Sequence, residues 1–127
     1  MKVYIRRMME HDMTHEVSVT QHVFYEFFGG NYSVSFQIRG NGYKYNVTFN
    51  DATDLRFGAD FKSMCRMLDV KEGDFLIMKR IGDNLYSIDV DRKEFARSKP
   101  YIPYFTGICR HLIAFIDGTS VKKDYIR

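Results

Sequence analysis

Two stretches of the chain alternate strictly between apolar and polar positions. Tyr32, Val34, Phe36 and Ile38 interleave with Ser33, Ser35, Gln37 and Arg39, and Tyr43, Tyr45, Val47 and Phe49 interleave with Lys44, Asn46 and Thr48. A period of two places each apolar set on one face of a half-buried strand. Gly40-Asn41-Gly42 between them supplies the positive φ that a hairpin needs. Phe75-Leu76-Ile77-Met78 and the trio Tyr86, Ile88, Val90 predict a second hairpin, joined through Gly82-Asp83-Asn84. Val3 and Ile5 alternate with charged or polar neighbours and predict a short strand, and Val17 and Val19 alternate in the same way.

The period changes in two places. Phe61, Met64, Cys65 and Leu68 fall on one face at 3.6 residues per turn, with Asp60 as an N-cap candidate and Asp69 to Asp74 as the turn that follows. Val23, Phe24, Phe27 and Phe28 predict a helix over 21–28, capped by Thr20 and ended by Gly29-Gly30. Between these elements, Arg7 to His15 has no period and reads as an exposed polar loop. Asn50 to Asp54 is a second one, leading into Leu55-Arg56-Phe57 and Gly58. Ser98 to Thr106 holds both prolines and reads as a packed connector. Ile108 to Ile116 is apolar enough for a strand or a buried helix, and periodicity does not separate the two. Asp117 to Arg127 reads as a polar tail or the start of a linker.

Composition narrows the class. At 127 residues, 45% hydrophobic and 28% charged, the chain fits one domain with its own core, neither disordered nor membrane-spanning. No signal peptide is visible over Met1 to Val19, and Cys65 and Cys109 match no metal or disulfide pattern, so a cytoplasmic protein with reduced core thiols is expected. The net charge of +3 does not announce a nucleic-acid partner. From Arg92 onward, however, Arg92, Lys93, Arg97, Lys99, Arg110, Lys122, Lys123 and Arg127 face only Glu94, Asp117 and Asp124, a balance suited either to a phosphate backbone or to a solvated surface.

Catalytic patterns are sparse. His11 and His15 have a four-residue spacing that suits a divalent metal on a helix, but the flanking alternation favours loop and strand, and no third ligand is fixed; no metal is expected. Asp60-Phe61-Lys62, Asp69-Val70-Lys71 and Asp91-Arg92-Lys93 each carry the acid-x-Lys spacing of Mg²⁺-dependent nucleases. Only the third follows a strand, and none has an obvious second acid. There is no Ser-His-Asp arrangement, Gly-rich phosphate loop or Cys/His cluster, so no catalytic residue is assigned.

The order strand, polar loop, strand, helix, hairpin, polar loop, short strand with Gly, helix, Gly-Asp turn, hairpin resembles the DNA-binding pseudobarrel of the plant B-three (auxin-response-factor) family. The recognition domains of EcoRII-type and BfiI-type restriction endonucleases share that fold. The resemblance is carried by Tyr45-Asn46-Val47, by Phe57-Gly58 followed by Phe61, and by Leu68-Asp69-Val70-Lys71-Glu72-Gly73-Asp74-Phe75 before the hairpin ending at Ile88-Asp89-Val90. It covers residues 1–90. The plant domains usually carry tryptophan where this chain has Tyr45 and Ala59, and the chain has none, which points to a distant, microbial restriction-type relative.

The resemblance implies a mainly β pseudobarrel of about seven strands with two short helices, a single recognition domain over 1–127 with a core over 1–90 and a C-terminal extension over 91–127. It also implies two loops that grip the major groove like the arms of a wrench. The first arm, 7–15, offers Arg7, Glu10, His11, Asp12, Thr14 and His15; the second, 50–56, offers Asn50, Asp51, Thr53, Asp54 and Arg56. Arg7 and Arg56 are the expected guanine readers, Asn50 and His11 adenine or mixed readers, and Asp51 or Asp54 acceptors for cytosine. Lys44, Lys62, Arg66, Lys79 and Arg80 are expected on phosphates. The expected partner is double-stranded DNA, with no cofactor and no membrane, in a restriction or restriction-like system whose nuclease or motor lies elsewhere in the parent protein. Two alternatives stay open: a compact PD-(D/E)xK-like nuclease, and a protein-interaction or ligand-binding barrel.

Overall fold

Eight strands form one sheet in the order β4-β3-β2-β6-β5-β1-β7-β8 in the computed structural model, which describes residues 1–127. The strands are β1 (Lys2–Arg7), β2 (Ser33–Ile38), β3 (Lys44–Asn50), β4 (Arg56–Phe57), β5 (Phe75–Gly82), β6 (Leu85–Asp91), β7 (His111–Asp117) and β8 (Ser120–Ile126). Three short helices accompany them: α1 (Gln21–Glu26), α2 (Ala59–Met67) and α3 (Lys93–Ala96). The sheet curls into a half-barrel, so the mainly β expectation holds with one more strand and one more helix than foreseen.

Both predicted hairpins form. β2 and β3 pair antiparallel with Phe36 opposite Tyr45, and β5 and β6 pair antiparallel with Met78 opposite Ile88. They are joined by a parallel pairing of β2 with β6, which no local turn could encode. The inner face carries the main core: Tyr4, Phe36, Met78, Tyr86 and Ile88 from the sheet meet Val23, Phe24, Phe27 and Phe28 of the α1 region and Phe61, Met64 and Cys65 of α2. Thr20 caps α1, its side chain accepting from the Val23 amide. The N-cap of α2 is Gly58, not Asp60. A Cβ on Gly58 would lie 2.8 Å from Thr48 Oγ1. That crowding explains a glycine there, while the Asp60 carboxylate accepts from the Thr48 amide and hydroxyl.

The outer face of the central strands is also covered. Val3, Ile5, Phe75, Leu112 and Ala114 pack against Ala96, Tyr101 and Phe105 of the segment after β6. Burial on both faces abolishes alternation. It explains why 108–116 gave no period and why β1 misleads: Tyr4 and Arg6, read as the polar side, are fully buried. The polar-tail reading of 117–127 is corrected. Residues Ser120–Ile126 form β8, paired to β7, and β7 pairs with β1 inside the sheet. The β7–β8 register shifts between Ile113 and Ala114, skipping Asp124. That bulge sends Val121 to the outer cluster and Tyr125 to the inner core despite their equal parity. Cys65 is buried in the core, but Cys109 is partly exposed; both thiols are free.

The Gly-Asp turn is held from within. Gly73 has φ +88°, and the buried Asp74 carboxylate accepts from the Lys71 and Lys93 amides and from Arg92. Arg92 also donates to the carbonyls of Leu68 and Asp69, closing the C-terminal end of α2.

Candidate nucleic-acid interface

The two polar segments adjoin one another. Residues 17–19, the limb by which the first arm returns, run antiparallel to residues 55–57, the return limb of the second. The Val19 amide donates to Leu55 O at 3.1 Å, the Phe57 amide to Val17 O at 2.9 Å, and Ser18 and Arg56 form a bridge between them. Val17 and Val19 therefore make this single bridge and no longer strand. Asn50 Nδ2, at the start of the second arm, donates to Glu16 Oε1 at 3.4 Å.

The first arm is an ordered turn. Glu10–Met13 form one turn of 3-10 helix, anchored by Asp12. Asp12 is 1% exposed: its carboxylate takes both Nη atoms of the fully buried Arg6, at 2.9 and 3.0 Å, and accepts from the Met9 amide. The Asp12 carbonyl accepts from Lys62 Nζ. Arg6 further donates to Ser18 O and Oγ and to Arg7 O. One buried guanidinium thus ties together both limbs of the first arm. Sequence reading missed Arg6 because it sits at a polar-looking strand position; the six-residue spacing to Asp12 was the only available signal.

Two of the side chains expected to read bases already have partners within the fold. The Asp12 carboxylate is buried against Arg6 and the Met9 amide, so freeing it for a base edge means breaking a buried ion pair. Arg7 points away from the arm: Nη2 donates to Gly107 O at 2.7 Å and the guanidinium lies 5.8 Å from the Phe105 ring centroid. Burial, then the charges of Arg110 and Arg6, pull its pKa below the ordinary value, while Cys109 opposes them. Glu10, His11, Thr14 and His15 remain on the surface. The His11 and His15 rings stack at 3.8 Å, and His15 Nδ1 is 2.8 Å from the Thr14 hydroxyl. Nowhere do three His, Cys, Asp or Glu side chains gather as a metal site would require.

In the second arm Asn50, Asp51, Thr53 and Asp54 are exposed. Asn50 Oδ1 accepts from the Ala52 amide, a local Asx turn. Asp51 accepts from the Tyr32 hydroxyl at 2.7 Å, which raises the tyrosine's pKa. Arg56 is half-buried, its Nη2 3.2 Å from the exposed Asp54. Such a pair is worth about 0–1 kcal/mol and exchanges readily for another acceptor.

Of the five cations expected on phosphates, Lys62 and Arg66 lie beside the first arm, where they line a small recess with Met8 and Met13. The other three are not brought there. Lys44 begins the strand that Asn50 ends, about 20 Å away at 3.3 Å per residue. Lys79 lies on the outer face near Arg39, Asp89 and Asp91. Arg80 pairs with Asp83 at the hairpin turn. The three acid-x-Lys pairs are also engaged. Lys62 reaches Asp12 O, Lys71 pairs with Asp69, and the Lys93 side chain lies over Gly73 while Asp91 accepts from Tyr101 Oη at 2.6 Å.

The fold has a solved counterpart. The N-terminal domain of Helicobacter pylori LlaJI.R1 superposes with a TM-score of 0.73 over 92% of this chain and 100% of that one, at 21% identity. No protein-family model matches the chain, and no curated protein matches it in sequence. No helix is long and apolar enough to cross a membrane.

Proposed function

We propose that the chain is a sequence-specific duplex-DNA recognition module in which the two adjoining arms enter the major groove. The observation that supports this best is the Ser18–Arg56 bridge with its flanking hydrogen bonds. It holds two polar segments, some forty residues apart in the chain, side by side on a rigid scaffold. Base reading needs paired donors and acceptors fixed at that kind of spacing. In this reading Arg56 exchanges Asp54 for guanine, Asn50 reads adenine, and Asp51 or Asp54 accepts from cytosine. His11, His15, Glu10 and Thr14 supply the first arm's contacts, with Lys62 and Arg66 on the flanking phosphates.

The likeness to a domain of LlaJI.R1, a restriction-type protein, agrees with the resemblance to restriction recognition domains. Together they favour a targeting module of a larger restriction or restriction-like protein whose nuclease or motor lies outside these residues. The test is selection of bound sites from a random duplex library in the absence of Mg²⁺, repeated with methylated DNA. Enrichment of one short motif is the expected result. Failure to retain any duplex at low salt overturns the reading.

A further inference from the structure

Beyond the arms, an open cleft borders the other side of the limb that carries the Ser18–Arg56 bridge. It is lined by Ser18 and Thr20 on that limb and by Ile108, Cys109, Arg110, His111 and Arg127 across from it. Arg127 reaches the cleft because β8 returns to the start of β7: the Arg110 and His111 amides both donate to Arg127 O, and the Arg127 amide donates to His111 O.

The charge around this cleft is one-sided. Arg110 and Arg127 line it, and Arg6 and Arg7 lie on the neighbouring strand β1, which pairs with β7. Arg6 is neutralised by Asp12, and Arg7 donates to main-chain carbonyls, with its Nε buried and unpartnered. Neither Arg110 nor Arg127 takes part in any of the six ion pairs of the chain. No carboxylate side chain lines the cleft, and the Arg127 main-chain oxygen there is taken up by the Arg110 and His111 amides. The one titratable ring in its wall adds no charge: burial first, then Arg6, Arg110 and Arg127, push His111 down to about 2. Guanidinium forks left without acceptors beside two hydroxyls provide donors matched to the oxygens of a phosphate.

We infer that this cleft is a phosphodiester-binding site, with Arg110 and Arg127 as its contacts to one strand of a duplex whose bases meet the arms. The inference rests on the duplex-reading function proposed above. Because the limb lies between Arg56 and the cleft, a strand flanking the base pairs read by the arms would pass along Arg110 and Arg127. These residues are then sequence-blind. They set register and affinity, whereas Arg56 sets preference.

The experiment is a salt titration of duplex binding with the full chain, comparing Arg110→Gln with Arg127→Gln and the double variant. Losing two phosphate contacts should lower the slope of log affinity against log salt by about 1.8. Selected and unrelated duplexes should weaken by the same factor, and the selected motif should be unchanged. Arg127→Gln alters an exposed side chain with no side-chain hydrogen bond, so it tests the idea even if Arg110→Gln folds poorly; its slope should fall by about 0.9. Inorganic phosphate at matched ionic strength serves as a comparison. If it competes for the unaltered chain but not for the double variant, the donors act on phosphate itself. An unchanged slope, or a loss confined to the selected motif, overturns the cleft assignment while leaving the arms' role intact. No duplex binding by the unaltered chain removes both.

Discussion

Ser18 and Arg56 face each other across an antiparallel bridge, and on the far side of Ser18 lies the Arg6 guanidinium, which donates to both its carbonyl and its hydroxyl. The bridge makes one surface of two loops. Arg56 is the cation nearest this seam whose only partner is a weak, exposed one. Arg56→Ala should weaken binding to a selected duplex by about 1–3 kcal/mol and relax preference at one base pair. Lys44→Ala, at the other end of β3, should change neither. Repeating the site selection with each variant checks both.

The Arg6–Asp12 pair fixes the first arm. Asp12→Ala leaves a guanidinium buried without its counter-charge and should cost roughly 3–5 kcal/mol of folding stability. Replacing both residues together, Arg6→Met with Asp12→Leu, should recover much of that loss, because neither charge then remains to be desolvated. Urea unfolding of the single and double variants decides. Equal stability of Asp12→Ala and the unaltered chain would falsify the anchoring role.

His111 gives the fold an acid limit. Its folded pKa is pushed down to about 2, mainly by burial, against an ordinary value of 6.5. The unfolded chain therefore binds a proton below about pH 6.5 that the folded chain refuses, so stability is full above that pH and declines as pH falls. One such group contributes roughly 1 kcal/mol per pH unit. His111→Gln keeps an acceptor for the Tyr4 hydroxyl, which lies 2.8 Å from His111 Nδ1, and should flatten the decline between pH 6 and 4. Thermal unfolding across that range measures it.

Asp91 offers a check on the nuclease alternative. Its carboxylate accepts from Tyr101 Oη and fastens the connector after β6 to the sheet. Asp91→Asn should lower stability by about 1 kcal/mol and leave duplex binding in place. Mg²⁺-dependent nicking by the unaltered chain that disappears in this variant would instead favour the nuclease reading.

Local pattern carried much of the architecture. The strands over 33–50, the helix after Thr20, the apolar face of α2 and the turn at Gly73-Asp74 follow from periodicity, capping and positive φ, whereas the start of α2 at Gly58 rather than Asp60 does not. Those are short-range properties of the chain. β7 and β8 were less legible because burial on both faces erases alternation in Leu112 to Ala114, and the bulge at Asp124 reverses the facing of the residues beyond it.

The sequence by itself determined that two polar segments interrupt a β-rich domain, and which residue types they offer. Only the tertiary structure decided which side chains stay free. Arg7 and Arg56 are alike as letters, yet Arg7 docks on the 105–107 turn and Arg56 keeps a weak surface partner. Asp12 and Asp54 likewise differ only in what surrounds them: one is enclosed by Arg6, the other open to water. The physical reason is range. Backbone periodicity is written within a few residues, whereas the desolvation and pairing that spend or spare a charge depend on groups brought together from distant parts of the chain.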